Sequence, residues 1–377
     1  MPMHHRLTLE GRDEHPSAVR RTGATRPWVD GSDVLLVISI DTEEDNWIPS
    51  RTGVTVENIR ELPRMHRFLR GFGVRPTFFT AYSVLDVPWA AEIIRDLDAS
   101  GDVEIGAHLH PWNTPPLREG LVPRNTMIKN LPEKLQGAKL ERLTERLATE
   151  VGAPPRSFRS GRFGLSGELL PWLVHLGYRV ESSVTPFVDW SGYDGGPDFR
   201  GAPFHAYRLG PAADPRIPVP DGPLVELPVL CGFTRTPFSF WSRIHGTPDR
   251  PPLRRLRMPG IATRMGIIQK VTLSPETDSV TDMLLLSRSL IEHDVGYLHL
   301  FFHSSSLRTG LSPFTPTTAS VERFYVALAE YLDRLSKMVR VRFTTVSEAA
   351  AELVPVDECL TGDAEASATK ARTGASR

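Results

Sequence analysis

The sequence predicts an α/β fold in which parallel strands, each followed by a helix, close or nearly close into a barrel of about seven units. Two observations carry this. Short apolar runs of strand length alternate with helical patterns from Val34 to Thr345. Several of those runs are also followed at once by acidic, histidine or arginine residues, and α/β barrels place their chemistry at the C-terminal ends of strands.

Val34–Ile40 is a buried strand by its length and β-branched content. Residues 56–72 read as a helix, stopped by Gly71 and Gly73. Strand 75–80 follows, then helix 88–99 opened by Pro88, then strand 103–106. Residues 132–151 form a long amphipathic helix. Next come a short strand at 157–159, a helix at 166–176 and a strand at 178–181. Helix 274–293, strand 297–302, helix 321–338 and strand 340–345 complete the series.

Residues 183–260 break the alternation. They are rich in Pro and Gly and carry Trp190, Tyr193, Phe199, Phe204, Tyr207, Phe233, Phe238, Phe240 and Trp241. Connections this long are uncommon unless functional. The segment reads as an insertion that walls or covers the site, with a strand at 224–229. Residues 1–31 and 356–377 are polar, without periodicity, and read as disordered ends. The catalytic unit is therefore expected at 32–355.

With 44 Lys and Arg against 45 Asp and Glu, the chain lacks the basic excess of a nucleic-acid partner. The run 251–257 is basic but reads as a solvated face. Two cysteines, Cys231 and Cys359, cannot build a disulfide framework. No stretch approaches the roughly 18–20 apolar residues of a transmembrane span. The first residues have no apolar signal region, and Arg20-Arg21 is a twin arginine in letters only. These features predict a cytoplasmic protein without stable membrane insertion.

Four strand ends carry the candidate chemistry. Asp41-Thr-Glu-Glu-Asp45 follows the first, His108-Leu-His110-Pro-Trp112 the third, Arg159-Ser-Gly-Arg162 the fourth, and His303 ends the late strand. On a strand, residues i and i+2 share a face, so His108 and His110 can chelate one ion. Imidazoles suit zinc or another divalent transition metal, and a carboxylate from the first strand end completes the set. Four clustered carboxylates need a cation nearby, which a metal, Arg159 or Arg162 could supply. Ser182-Ser183 follows another strand and is placed to line a pocket.

Asp41-Thr-Glu-Glu-Asp45, Glu104-Ile-Gly-Ala-His-Leu-His-Pro-Trp112, Phe158-Arg-Ser-Gly-Arg-Phe-Gly164 and Leu300-Phe-Phe-His303 stand in the order of the motifs of polysaccharide deacetylases, carbohydrate esterase family 4. The chain resembles that family over roughly residues 33–350. The resemblance implies a distorted (β/α) barrel of the polysaccharide-deacetylase kind and a divalent ion, zinc first, with cobalt or nickel as alternatives. It implies Asp41 as catalytic base, His303 as acid toward the leaving amine, and Arg159 as the group that orients Asp41. Glu43, His108 and His110 would bind the metal. Arg162, Trp112, Ser183 and Trp190 would bind substrate, with Asp189-Trp190 matching an auxiliary element only loosely.

Two departures leave points open. Thr42 stands where adjacent aspartates are common, so Glu43, Glu44 and Asp45 compete as ligand, and Arg162 competes with Arg159 for Asp41. The histidines are two residues apart instead of the common four. The implied reaction is N-deacetylation of an amino-sugar derivative or glycosylated small molecule. The alternatives are a non-sugar amidohydrolase, acting on a cyclic imide, ureide or formamide, and a non-catalytic carbohydrate-binding relative.

Overall fold

A computed structural model of the chain describes residues 33–233, 238 and 270–355. The predicted arm at 1–31, the tail at 356–377 and most of 234–260 lie outside the described residues, with Phe240, Trp241 and Cys359 among them.

The strands are β1 Val34–Thr42, β2 Thr77–Ala81, β3 Glu104–Leu109, β4 Ser157–Ser160, β5 Val180–Glu181, β6 Tyr207–Leu209, β7 Leu224–Glu226, β8 Cys231–Phe233, β9 Lys270–Thr272, β10 Tyr297–His303 and β11 Val341–Thr344. All nine residues of β1 are buried, the polar Ser39, Asp41 and Thr42 included, as in a strand covered on both faces. The main sheet runs β10-β1-β2-β3-β4-β5-β7-β6, and every pairing is parallel except β6 with β7. β10 follows β1 from Leu35 to Asp41. On the other edge of β1, β11 pairs with Val34–Val37 and β2 with Ser39–Thr42. A small antiparallel pair, β8 with β9, lies apart.

The sheet is thus a curled, incomplete barrel flanked by helices. The seam falls between the two ends of the sheet, β10 and β6. Pro228 follows β7 closely and cannot donate to a ladder, which ends pairing there. Loop contacts bridge the seam instead: Tyr297 Oη donates to the Pro228 carbonyl at 3.0 Å, and Phe301 N donates to the Leu273 carbonyl at 3.0 Å.

The helices follow their sequence signals. Glu133–Val151 buries Leu140, Leu143 and Leu147 on one face and ends at Gly152, whose φ of 75° supplies the left-handed cap. Thr317 with Ser320, and Thr345 with Glu348, close capping boxes at the starts of Thr318–Met338 and Val346–Leu353. Residues 56–72 divide into a 3-10 turn at Glu57–Glu61 and a helix at Leu62–Arg70. The helix expected from residue 274 begins only at Val280, because Ser279 caps it by accepting from Asp282 N. No helix among the described residues is long and apolar enough to cross a membrane.

Candidate active site

Parallel pairing sets the site side by side. Asp41 stands opposite His303 across β1 and β10, and His108 opposite Arg159 across β3 and β4. β3 runs to Leu109, so His108 lies on the strand and His110 just beyond it, both turned to one face. Their Nε2 atoms stand 3.2 and 3.1 Å from one oxygen, Oε2 of Glu43.

The far nitrogen of each imidazole is already engaged. His108 Nδ1 donates to the Arg159 carbonyl at 3.1 Å, and His110 Nδ1 donates to Glu44 Oε1 at 2.9 Å. Each Nε2 is therefore left to accept from, or ligate, what sits between the rings and Glu43. Donor atoms of Glu43, His108 and His110 all lie within 4.8 Å of one another, and all three residues are buried. Two imidazole nitrogens, each ring with an outer partner, and one carboxylate fit a divalent ion.

The electrostatics demand positive charge here. Burial pulls His110 down, but the carboxylates of Glu44 and Glu43 override it and raise the ring to about 10. Burial pushes Glu43 up, yet hydrogen bonds from His108 and His110 hold it well below the usual carboxylate range. A divalent ion would displace the His110 proton and take over the same compensation.

The backbone makes room for the rings. A Cβ on Gly161 would stand 2.1 Å from Cδ2 of His110, so only glycine fits beside that imidazole. Trp112 stacks on His110 at 4.1 Å and donates its indole N–H to Glu44 Oε1 at 2.8 Å.

The three competing carboxylates separate by geometry. Glu43 faces both histidines. Glu44 accepts from His110, Trp112 and Ser83. Asp45 accepts from Glu57 N at 2.8 Å and Asn58 N at 3.0 Å, which anchors the next 3-10 turn.

Arg159, not Arg162, pairs with Asp41. Its Nη1 donates to Asp41 Oδ1 at 2.6 Å, its Nε donates to the Ser182 carbonyl at 2.9 Å, and its guanidinium lies 4.3 Å over the Phe79 ring. Arg159 is fully buried. Arg162 has φ 54°, pairs with Asp194 at 2.9 Å and donates to Thr126 Oγ1.

His303 Nε2 lies 4.0 Å from Asp41 Oδ2. Its Nδ1 donates to Glu276 Oε2 at 2.8 Å, and its backbone N donates to Glu276 Oε1 at 3.0 Å. Burial lowers the imidazolium, but Glu276 first, then Glu43 and Asp41, raise it to about 9. Glu276 was not among the expected site residues because it sits in the segment read as helix. The Ser274-Pro275 pair is a turn signal that would have placed it in the loop before Ser279.

A cleft of about 530 Å³ opens onto these groups, within the ~300–1,000 Å³ of small-molecule sites. Asp41, Glu43, His108, His110, Trp112, Arg162 and His303 line it, with Pro49, Leu121, Val122, Pro123 and Phe163. Two residues expected to bind substrate, Ser183 and Trp190, are not in that lining. Ser183 does not line the cleft: it accepts from Ser160 N at 2.8 Å and donates to Glu181, in the buried sheet. Trp190 stands behind the cleft, stacked on Phe163 at 5.7 Å with its N–H on Thr185 Oγ1. Asp189 is likewise away from the cleft and pairs with Arg200 at 2.8 Å.

No family model matches the chain, and no curated protein matches it. Solved structures do. A Mycobacterium smegmatis protein described as a polysaccharide deacetylase superposes with a TM-score of 0.50 at 18% identity, covering 86% of this chain and 92% of its own. An allantoinase (TM-score 0.48, 11% identity) covers 89% and 96%. A Pseudomonas aeruginosa protein described as a polysaccharide deacetylase (TM-score 0.47, 14% identity) covers 89% and 97%. The chain has the polysaccharide-deacetylase fold.

Proposed function

We propose that the protein is a metal-dependent hydrolase that removes an acyl group from nitrogen, the deacetylase reaction, with Asp41 as base and His303 as acid. The observation that carries this is the convergence of Glu43, His108 and His110 beside the Asp41–His303 pair in one cleft. The deacetylase fold shared with the M. smegmatis protein supports it.

Glu43, His108 and His110 would hold the ion, zinc first and cobalt or nickel next. Bound there, the ion supplies Lewis acidity toward the amide carbonyl and makes water more acidic. Arg159 holds Asp41 through Oδ1, which leaves Oδ2 on the His303 side to take the proton of the attacking water. Glu276 keeps His303 protonated and oriented, so that Nε2–H reaches the departing nitrogen. Water oxygen adds to the carbonyl carbon, the C–N bond breaks, and a carboxylate and a free amine leave. Loss of Asp41 or His303 costs about 10²–10⁴ in turnover on the scale of general acid–base groups.

An amino-sugar derivative is the first substrate class. A non-sugar amide is favoured by one observation: none of the described aromatic residues between 187 and 238 lines the cleft, so the expected sugar-stacking surfaces are engaged elsewhere.

Elemental analysis of the wild type beside His108→Ala/His110→Ala tests the metal, with about one divalent ion per chain expected only in the wild type. Turnover of N-acetylated sugars against cyclic imides, ureides and formamides then separates the two classes. Absence of bound metal after loading with zinc, cobalt and nickel would sink the hydrolase reading.

A further inference from the structure

The large apolar side chains that remain exposed are not scattered evenly. Of the ten that stand exposed among the described residues, four fall in two loops, those after β1 and β3: Ile48 (67% exposed), Leu117 (43%), Leu121 (44%) and Val122 (49%). Single exposed apolar residues need no account, but a cluster at the mouth of a cleft marks a contact surface.

The loops are held in place. Arg51, beside Pro49, donates to the Trp112 carbonyl at 3.2 Å and the Glu119 carbonyl at 2.9 Å. Lys139, fully buried, donates to the carbonyls of Pro111, Thr114 and Pro116 at 2.7–2.9 Å. Leu121, Val122 and Pro123 belong to the cleft lining, as does Pro49.

The rim also has a direction. His303 ends β10, the Glu43–His108–His110 group spans β1 and β3, and the apolar wall follows β3 at Leu121–Pro123 and β1 at Pro49. An amide whose carbonyl carbon sits by the metal ligands and whose nitrogen faces His303 points its acyl group away from β10, toward that wall. The described aromatic residues between 187 and 238 stand outside the cleft lining and pack on one another. Phe187 lies 5.7 Å from Phe233, and Phe204 lies 5.6 Å from Phe238.

We propose that the acyl group released here is an aliphatic chain longer than acetyl, seated on the wall of Pro49, Leu121, Val122 and Pro123; this rests on the amide-hydrolysis reading above. The reaction is unchanged: water adds its oxygen to the carbonyl carbon, the C–N bond breaks, one proton passes to nitrogen, and the products are a fatty carboxylate and an amine.

The test uses the zinc-loaded full chain and N-acetyl-, N-butanoyl- and N-hexanoyl-glucosamine. Burial of each added methylene predicts about a three- to fourfold rise in kcat/KM, about tenfold from acetyl to butanoyl. Leu121→Asp/Val122→Asp, changed at exposed positions, brings the butanoyl-to-acetyl ratio near one. Val326→Asp, exposed on the helix Thr318–Met338, keeps it. A flat or falling series, or an undiminished ratio in the double variant, overturns the proposal. Calorimetry with acetohydroxamate and hexanohydroxamate reads the wall without turnover. Tighter binding of the longer probe, lost in the double variant, upholds the wall even if no amide is cleaved and the hydrolase reading fails. Equal affinities overturn the wall even if acetyl sugars are cleaved.

Discussion

Replacing Glu276 by glutamine changes one charge next to the proposed acid while keeping the side-chain shape. The glutamine oxygen can still accept from His303 N and Ser306 Oγ, as Oε1 of Glu276 does. The other end becomes an N–H₂ group facing His303 Nδ1, where a carboxylate oxygen stood at 2.8 Å. That group donates to Nδ1 and favours the neutral ring. Glu276 is the largest influence raising His303 to about 9 against burial. Without it, burial is opposed only by Glu43 and Asp41, and His303 falls toward its ordinary ~6.5. A general acid works only while protonated, so activity is lost as pH rises through its pKa. At pH 8 the protonated share drops from about 90% to as little as about 3%, a loss of up to about 30-fold, whereas at pH 6 the loss stays under about twofold. The assay is kcat/KM from pH 5 to 10 for both proteins. A divalent ion at Glu43 moves both alkaline limbs in the same direction, so the difference between them is the quantity read. An alkaline limb that stays in place, or a uniform loss at every pH, refutes the role of Glu276 and of His303 as the titrating acid.

Three further outcomes are expected. Glu43→Gln abolishes bound metal in elemental analysis, while Asp45→Ala keeps it and lowers unfolding free energy by about 0.5–2 kcal/mol, the scale of a lost helix cap; metal loss in the second variant would reverse the two assignments. Gly161→Ala drives a methyl group into His110 and weakens zinc binding by about 10–100-fold in a chelator competition, with the far-UV circular dichroism unchanged; unaltered affinity would count against His110 as a ligand. Arg159→Met leaves Asp41 buried without its partner and lowers stability by about 3–5 kcal/mol in urea unfolding; a loss below about 1 kcal/mol would mean that Asp41 finds another partner.

The sequence by itself determined the fold class and the set of strand ends that carry chemistry. Short, mainly apolar and β-branched runs such as Val34–Ile40 read as covered strands, and their regular alternation with helical patterns implies parallel order. The polar groups that follow them are bound to meet at one rim, because parallel strands share a direction. That reasoning reaches Asp41, His108, His110, Arg159 and His303 without coordinates. It stops where side chains of equal chemistry compete. Glu43, Glu44 and Asp45 differ only in which way successive residues turn once the strand ends, and this is set by Asn58, Ser83 and Trp112, which are remote in sequence. Arg159 and Arg162 are separated by a backbone that leaves β4 and takes φ 54° at Arg162. Ser183 and Trp190 carried plausible chemistry but are committed to Glu181, Thr185 and Phe163, because burial forces each polar group to find a partner where it lies. Ser274-Pro275 marks the loop that holds Glu276, but one carboxylate in a loop gains its meaning only when the chain brings it to the imidazole of His303. Periodicity records which face is buried. Partners across long sequence separations are decided by packing, and only the tertiary structure contains them.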